Sequence, residues 1–489
     1  MNTTEQGRTG NGGRRIAYFA LLGTTALGTL SANVINAPLY VIQTDLGMTR
    51  QQAVLAVSAF TMAMAMFVPL AGWVGDRVGT KTLLVWALSV LVLAGAAASQ
   101  ASGTEALVAA RAVQGAACSA IPPCVQAALM NHWPERTAQA MGAWASAIGL
   151  GQAVGPLFGG LVTEALGWRN VFLSHGLLVL VMILLLIASM PASGPQRPPM
   201  HRFAMFWLVV GAGSTAAGTV LIGQATSWWW ILCSLGSAVF SLWLFGRLSV
   251  RRARFAAEHA GAPGPLLDPS LLRDRGYLRA AAGAGLAMGS MAVFIVAVPL
   301  FLARDLDMGP AGIGAIVFTM ALSMIVAGPL AARLGRRRGV NVQLRRGILI
   351  LMASGPVVAL AVCCSRFGMV PWAVLSMVVA GLVLAGTGIA FTQSAAATDI
   401  VLSAAGRSGT AIGIHNMIRF LAMGAGYAVV ALAYAADATL LLFPFVSLMG
   451  VAMLYAFGDA RGLTRRTAGV PEPIRVIPEP ANERTKNDH

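Results

Sequence analysis

Arg111, Gln114, Gly115 and Cys118 stand at i, i+3, i+4 and i+7 inside a long apolar run, so as a helix they share one face. A guanidinium and an amide on such a face can hold an anion, bind a polar ligand group or steer a proton. A second set, His415, Asn416 and Arg419, falls at the same helical offsets near the other end of the chain, and His415 carries the side chain that ordinarily titrates near neutral pH. Asn33, Asn36 and Tyr40 form a third polar face, and Gln152 interrupts another apolar run. Carboxylates are scarce: Glu105, Glu164 and Asp399 lie near the ends of apolar runs, none at a middle. The six histidines show no spacing for a metal centre or a nucleophile pair. The five cysteines (Cys118, Cys124, Cys233, Cys363, Cys364) read as packing residues, so no metal, no cofactor and no enzyme is implied.

These side chains need elements that can carry them through an apolar medium. The chain is 57% hydrophobic and 11% charged, with mean hydropathy +0.72, which places it in a bilayer. At about 20 apolar residues per crossing, we read fourteen helical spans, near 16–42, 52–74, 82–100, 105–130, 138–165, 169–190, 203–223, 227–246, 278–302, 309–332, 345–364, 370–395, 408–434 and 438–457. An arginine at membrane depth costs about 2.5–3.5 kcal/mol, so Arg111 and Arg419 must face a polar cavity or a partner. The first run follows Arg14 and Arg15 as a signal peptide would, but more spans follow at once, so it reads as an uncleaved helix. Of the Lys and Arg residues only Arg50, Arg169, Arg304 and Arg366 fall in odd-numbered loops, which puts both termini in the cytoplasm. The net charge of +16 is therefore a topology signal meeting anionic lipid, and no nucleic-acid partner is needed.

Two features organise these spans. The turn Gly72-Trp73-Val74-Gly75-Asp76-Arg77-Val78-Gly79-Thr80-Lys81 has an echo at Gly328, Arg333, Gly335, Arg336 and Arg337, with Ala332 at the position of Asp76. The copies lie 256 residues apart (328 − 72), which implies two related halves with an extra pair of spans between them. In the fifth span Gly151, Gly155 and Gly159 step by four beside Pro156 and Gly160, a stripe along which another helix can approach to backbone contact.

The loop resembles the cytoplasmic signature of the major facilitator superfamily, where an acidic residue and basic neighbours form a gating latch; here these are Asp76 with Arg77 and Lys81. The Arg111, Gln114 and Gly115 face is similar to the family's antiporter arginine motif, and the Gly-Pro and Gly-Gly pairs of span five match its antiporter glycine motif. Asn36, the Asp45-Leu46-Gly47 tail, Pro265-Leu266-Leu267-Asp268 and the Asn416, Arg419 and Gly426 stretch are similar to the fourteen-span drug:proton antiporters of the EmrB/QacA type. The first-span acid of that family falls here on Ser31, which can neither carry a proton nor attract a cation.

The resemblance implies an all-α polytopic membrane protein of major facilitator fold. Its expected parts are a disordered start (1–15), a six-helix bundle (16–190), a linker with two inserted helices (191–246), a cytoplasmic loop (247–277), a second six-helix bundle (278–457) and a disordered tail (458–489). It implies a monomer in the bacterial inner membrane that exports hydrophobic or amphiphilic small molecules by alternating access in exchange for protons. Arg111, Asp76, Asp399 and His415 are the proton-coupling candidates; Asn33, Asn36, Gln114, Gln152, Asn416 and Arg419 are the cavity candidates. Ser31 keeps an importer, a uniporter or a transport-inactive binding protein as alternatives, and the two deep arginines favour neutral or anionic ligands over cations.

Overall fold

The computed structural model describes residues 11–133, 137–191, 202–259, 274–402 and 409–457, and the backbone alone of residues 11–12, 76, 137–139, 141–142, 145, 202, 257, 336, 400–402, 409–412 and 457. The expectations for the linker at 192–201, for Pro265–Asp268 and for the tail lie outside the described residues. In chain order the helices are α1 (Asn11–Asn33), α2 (Leu39–Asp45), α3 (Arg50–Val78), α4 (Thr80–Ser99), α5 (Thr104–Cys118), α6 (Ile121–His132), α7 (Thr137–Leu166) and α8 (Trp168–Ser189). They continue with α9 (Arg202–Gly223), α10 (Trp228–Glu258), α11 (Arg275–Asp305), α12 (Pro310–Arg338), α13 (Val340–Arg366), α14 (Pro371–Leu402), α15 (Gly409–Ala435) and α16 (Leu442–Phe457). Twelve of these are long and apolar enough to cross a bilayer; α1, α2, α5 and α6 are not among them. Together with α1 and the α5–α6 pair, they accommodate the fourteen expected crossings.

Both of those exceptional crossings are interrupted, where the sequence suggested continuous helices. Pro38 has no N–H to offer the carbonyl of Val34 and disfavours helix at the residue before it, so α1 stops at Asn33 and the chain resumes as α2. Pro122 and Pro123 likewise leave the carbonyls of Cys118 and Ser119 without helical donors, and α5 gives way to α6 there. Two other boundaries shift. The start 1–15, expected to lack structure, is helical from Asn11, where Arg14 donates to the carbonyl of His132 at 2.8 Å. α10 runs on to Glu258, through the first part of the expected loop 247–277, because no Gly or Pro interrupts Arg247–Glu258.

The helices form two halves, α1–α8 and α11–α16. α7 packs along α12 and α3 along α15, and these are the two seams between the halves. The inserted α9 lies against both α3 and α15, with α10 outside it. The apolar stretch of α11 is buried along its whole length, which makes it the central helix of the second half.

The signature turns define one end of the molecule. Gly79 joins α3 to α4 at φ +91°, and Gly339 joins α12 to α13 at φ +87°, conformations that glycine adopts without strain. The structural equivalents are thus 260 residues apart (339 − 79), one helical turn beyond the spacing of 256 read from the sequence. Gly335 corresponds to Gly75 and Arg336 to Asp76, while Gly328 and Arg333 lie within the body of α12.

Polar ties between the halves gather at the opposite end. Arg50 pairs with Asp437 at 3.1 Å and donates to the carbonyl of Tyr434 at 3.1 Å. Tyr434 donates to Gln43 at 3.4 Å, and the amide of Ala311, at the start of α12, donates to Glu164 at 3.1 Å. The largest buried apolar cluster joins both halves at this level, through residues such as Ile35, Leu39, Val57 and Phe294. The molecule is therefore closed at the end away from the signature turns.

Candidate functional site

Below this closure, between the halves, lies a narrow cavity of about 80 Å³. The first half contributes Asn33, Phe60, Trp144 and Gln152; the second contributes Met288, Met291, Asn416, Arg419 and Met423. Four of the six expected cavity residues, Asn33, Gln152, Asn416 and Arg419, thus line one space. Asn36 and Gln114 do not. Asn36 is fully buried at the α1 break and donates to Asn33 at 3.4 Å, and Gln114 is buried as an acceptor for Arg111 at 2.8 Å.

Arg111 has found its partner in backbone. Its guanidinium, 0% exposed, donates to the carbonyls of Ser31 (3.0 Å), Ala32 (3.3 Å) and Ala56 (3.4 Å), and lies over the Phe60 ring at 4.5 Å. Ser31 and Ala32 are the residues whose carbonyls are left without helical donors where α1 stops. A helix C-terminus favours a cation, and in an apolar interior an unmet carbonyl is costly. The interruption of α1 and the buried charge of Arg111 satisfy each other.

Arg419 is held differently. It donates to Asn416 at 3.0 Å and to Gln393 at 3.2 Å, and approaches the sulfur of Met288 at 3.8 Å. Its Nε is buried with no hydrogen-bond partner, and so is the indole Nε1 of Trp144 on the facing half. Among the described residues lining the cavity there is no Asp, Glu or His. His415 is buried one turn before Arg419, with its Nδ1 unpartnered, outside that lining.

Asp399 is also away from the cavity. It accepts from Arg279 at 3.0 and 2.8 Å, and Arg279 bonds Asn341 as well, tying α11, α13 and α14 together near the signature-turn end. At the first signature turn Gly75 backs closely onto Cys124 of α6, and Arg77 lies over the ring of Trp73 at 5.3 Å. Lys81 donates to the carbonyls of Ile187 and Met190, closing the C-terminal end of α8. In the second turn Gly335 lies against Gln343, and in the body of α12 a Cβ added at Gly328 would meet nothing within 4 Å.

The glycine stripe of α7 holds α1. A methyl group at Gly151 would meet the carbonyl of Ala26, one at Gly155 would come within 3.0 Å of the Asn33 Cβ, and one at Gly159 would meet the carbonyl of Val34. Gly160 faces the other way, onto the Pro310 carbonyl at the start of α12, and Gly314 of α12 lies against the Pro156 carbonyl. α7 is therefore clasped between the broken helix of one half and the leading helix of the seam in the other.

Sequence reasoning passed over Phe60, Trp144 and the methionines of the cavity wall. The 23 methionines gave a signal, since Met288 and Met291 stand three apart on α11, but a thioether carries no charge pattern to single it out.

The family model described as Major Facilitator Superfamily matches residues 19–202. The multidrug resistance protein Stp of Mycobacterium tuberculosis (strain CDC 1551 / Oshkosh) is 25% identical over 82% of this chain and 72% of its own length. The probable actinorhodin transporter of Streptomyces coelicolor is 28% identical over 85% of this chain and 72% of its own. The methylenomycin A resistance protein of the same organism is 32% identical, over 33% of this chain and 36% of its own length. These likenesses fall on a chain of apolar helices long enough to cross a membrane, whose two halves flank a central cavity, and over residues 19–202 the chain is similar to the Major Facilitator Superfamily.

Proposed function

We propose that this chain is a secondary active transporter that exports hydrophobic small molecules of antibiotic or multidrug type by alternating access. The observation that carries the reading is the central cavity, walled by both halves and closed at one end by ties between them. A site of this kind reaches either side when the halves rock about it. The printed names of the relatives, two resistance proteins and a transporter, support export as the direction. With the termini in the cytoplasm, as the basic loops argue, the closed end faces outward and ligand loads from inside the cell. The proposed setting is a monomer in the bacterial inner membrane, in contact with anionic lipid.

Inward proton flow is the driving reaction that the resemblance implies, with Asp76, Arg111, Asp399 and His415 as candidates. A second reading, export without proton exchange, is favoured by Ser31 and by the lack of a carboxylate among the described cavity residues. Expression in a bacterium lacking its own exporters tests the function itself. Lower accumulation of a labelled hydrophobic antibiotic, reversed by a bulky Gly155→Leu change, supports export; unchanged accumulation across a broad panel overturns it.

A further inference from the structure

The two membrane-depth arginines are in opposite situations. Arg111 has four acceptors and no access to the cavity, whereas Arg419 lines the cavity with two neutral amide acceptors and a buried, unpartnered Nε. A guanidinium stays charged, so Arg419 brings one fixed positive charge into a space whose described lining has no carboxylate. Trp144, which lines the cavity from the other half, carries a second buried donor without a partner, its indole N–H. Around these two donors the wall is aromatic and thioether: Phe60, Phe420, Met288 and Met423.

We propose that the cavity is an organic-anion site, in which Arg419 takes the acidic group of an aromatic ligand with help from Trp144, and that the membrane potential drives the transport cycle through the charge on Arg419. The proposal rests on the export reading and takes the second of its two driving forces. The charge balance is direct. With an anion bound, the cavity is neutral (+1 − 1 = 0), so the step that carries ligand outward moves no net charge through the field. Empty, the cavity carries +1, and its return to the inward-facing state moves that charge toward the negative interior. One cycle exports one negative charge without a proton. A single charge is worth about 2.3 kcal/mol per 100 mV, which corresponds to a limiting concentration ratio of about 50-fold.

The test uses purified protein in liposomes and three naphthalene probes of one shape: naphthalene-2-sulfonate, the neutral 2-naphthalenemethanol and the cationic (2-naphthylmethyl)trimethylammonium. The sulfonate stays ionised throughout the assay, so it carries no proton of its own. Binding is read from quenching of tryptophan fluorescence. Flux is read under a potassium-diffusion potential with the pH gradient abolished, and then under a pH gradient with the potential abolished. The expected result is binding in the order sulfonate, alcohol, ammonium, with sulfonate accumulating on the positive side under potential alone. Arg419→Lys should keep the response to potential with weaker binding. Arg419→Gln should lose the preference for the anion by tenfold or more and with it the sulfonate flux, and its thermal stability and binding of the neutral alcohol show that it is folded.

Preferential binding of the ammonium probe, or failure of all three to bind, overturns the anion site. Sulfonate accumulation driven by the pH gradient with the potential abolished overturns the proton-free driving force while leaving export in place. Binding of sulfonate without flux under either gradient overturns the inference and the export reading together. An Arg419→Gln protein that binds and moves sulfonate as the parent does removes Arg419 from the role.

Discussion

Replacing the glycines of α7 one at a time by alanine should yield a graded series, because each new methyl group meets a different obstacle. At Gly149 the nearest atom to an added Cβ is a side-chain carbon of Ile325 at 3.7 Å, an ordinary contact. At Gly155 the Asn33 Cβ lies at 3.0 Å and the Leu30 carbonyl oxygen at 3.3 Å, so α1 and α7 must part by about 0.5–1 Å to restore carbon contacts near 3.5–4.0 Å. At Gly159 the methyl would overlap the Val34 carbonyl, and backbone cannot turn aside as a side chain can. Overpacking costs about 1–3 kcal/mol. Gly149→Ala should therefore be neutral, Gly155→Ala should lose about 1–2 kcal/mol, and Gly159→Ala should reach the top of the range or exceed it. Thermal unfolding in one detergent, read beside transport of a labelled drug, ranks the three. The obstacle at Gly155 includes a side chain, so Asn33→Gly should recover part of that loss, and no side-chain change at Val34 should rescue Gly159→Ala. A Gly159→Ala protein as stable and active as Gly149→Ala would refute the helix contact on which the argument stands.

Arg111→Met leaves the Ser31 and Ala32 carbonyls and the Gln114 amide oxygen without their donor; at about 1–3 kcal/mol for each buried polar group left unmet, folded yield should fall sharply, and Arg111→Lys should recover part of it. Arg279→Ala strands the buried Asp399 carboxylate and should lower stability more than Asp399→Asn, with the Arg279→Gln/Asp399→Asn pair closer to the parent protein in thermal unfolding. At the closed end, the hydrogen bond from Arg304 holds the Asp437 carboxyl below the usual carboxylate range, with the charges of Arg304 and Arg50 adding to it. Because the folded value is depressed, this contribution is present above the ordinary carboxylate pKa and fades as pH falls through the folded one. Between pH 5 and 8 the tie should be constant, and Asp437→Asn should raise labelling of a cysteine placed at position 311 from the outer side across that whole window.

How much of this was legible in advance depended on whether the information lay in side chains or in backbone. The crossings were legible because a bilayer asks only for length and apolarity. Asn33, Gln152, Asn416 and Arg419 were legible because polar groups at membrane depth turn from lipid. The partners of Arg111 were not, since three of its four acceptors are carbonyls that any residue would supply. The two helix breaks were written in Pro38, Pro122 and Pro123, but an uninterrupted apolar run outweighed them in the reading. The register of the echo slipped by one turn because Arg333, Arg336 and Arg337 give similar basic offsets on either alignment. Only the positive φ of Gly339 separates the two.

The mutual dependence of Arg111 and the α1 break also sets an order of events during synthesis. Neither α1 nor the α5–α6 pair is among the long, unbroken apolar helices, and the contact that satisfies both spans 80 residues. At about 5–20 residues per second, the open carbonyls of α1 wait about 4–16 s for Arg111 to be made. During that interval the first crossing must be sheltered by the insertion machinery or by α3, which emerges next. The first half should therefore enter lipid as a group rather than helix by helix, and a pause in translation between Ala32 and Arg111 should be the point at which this chain is most exposed to membrane proteolysis.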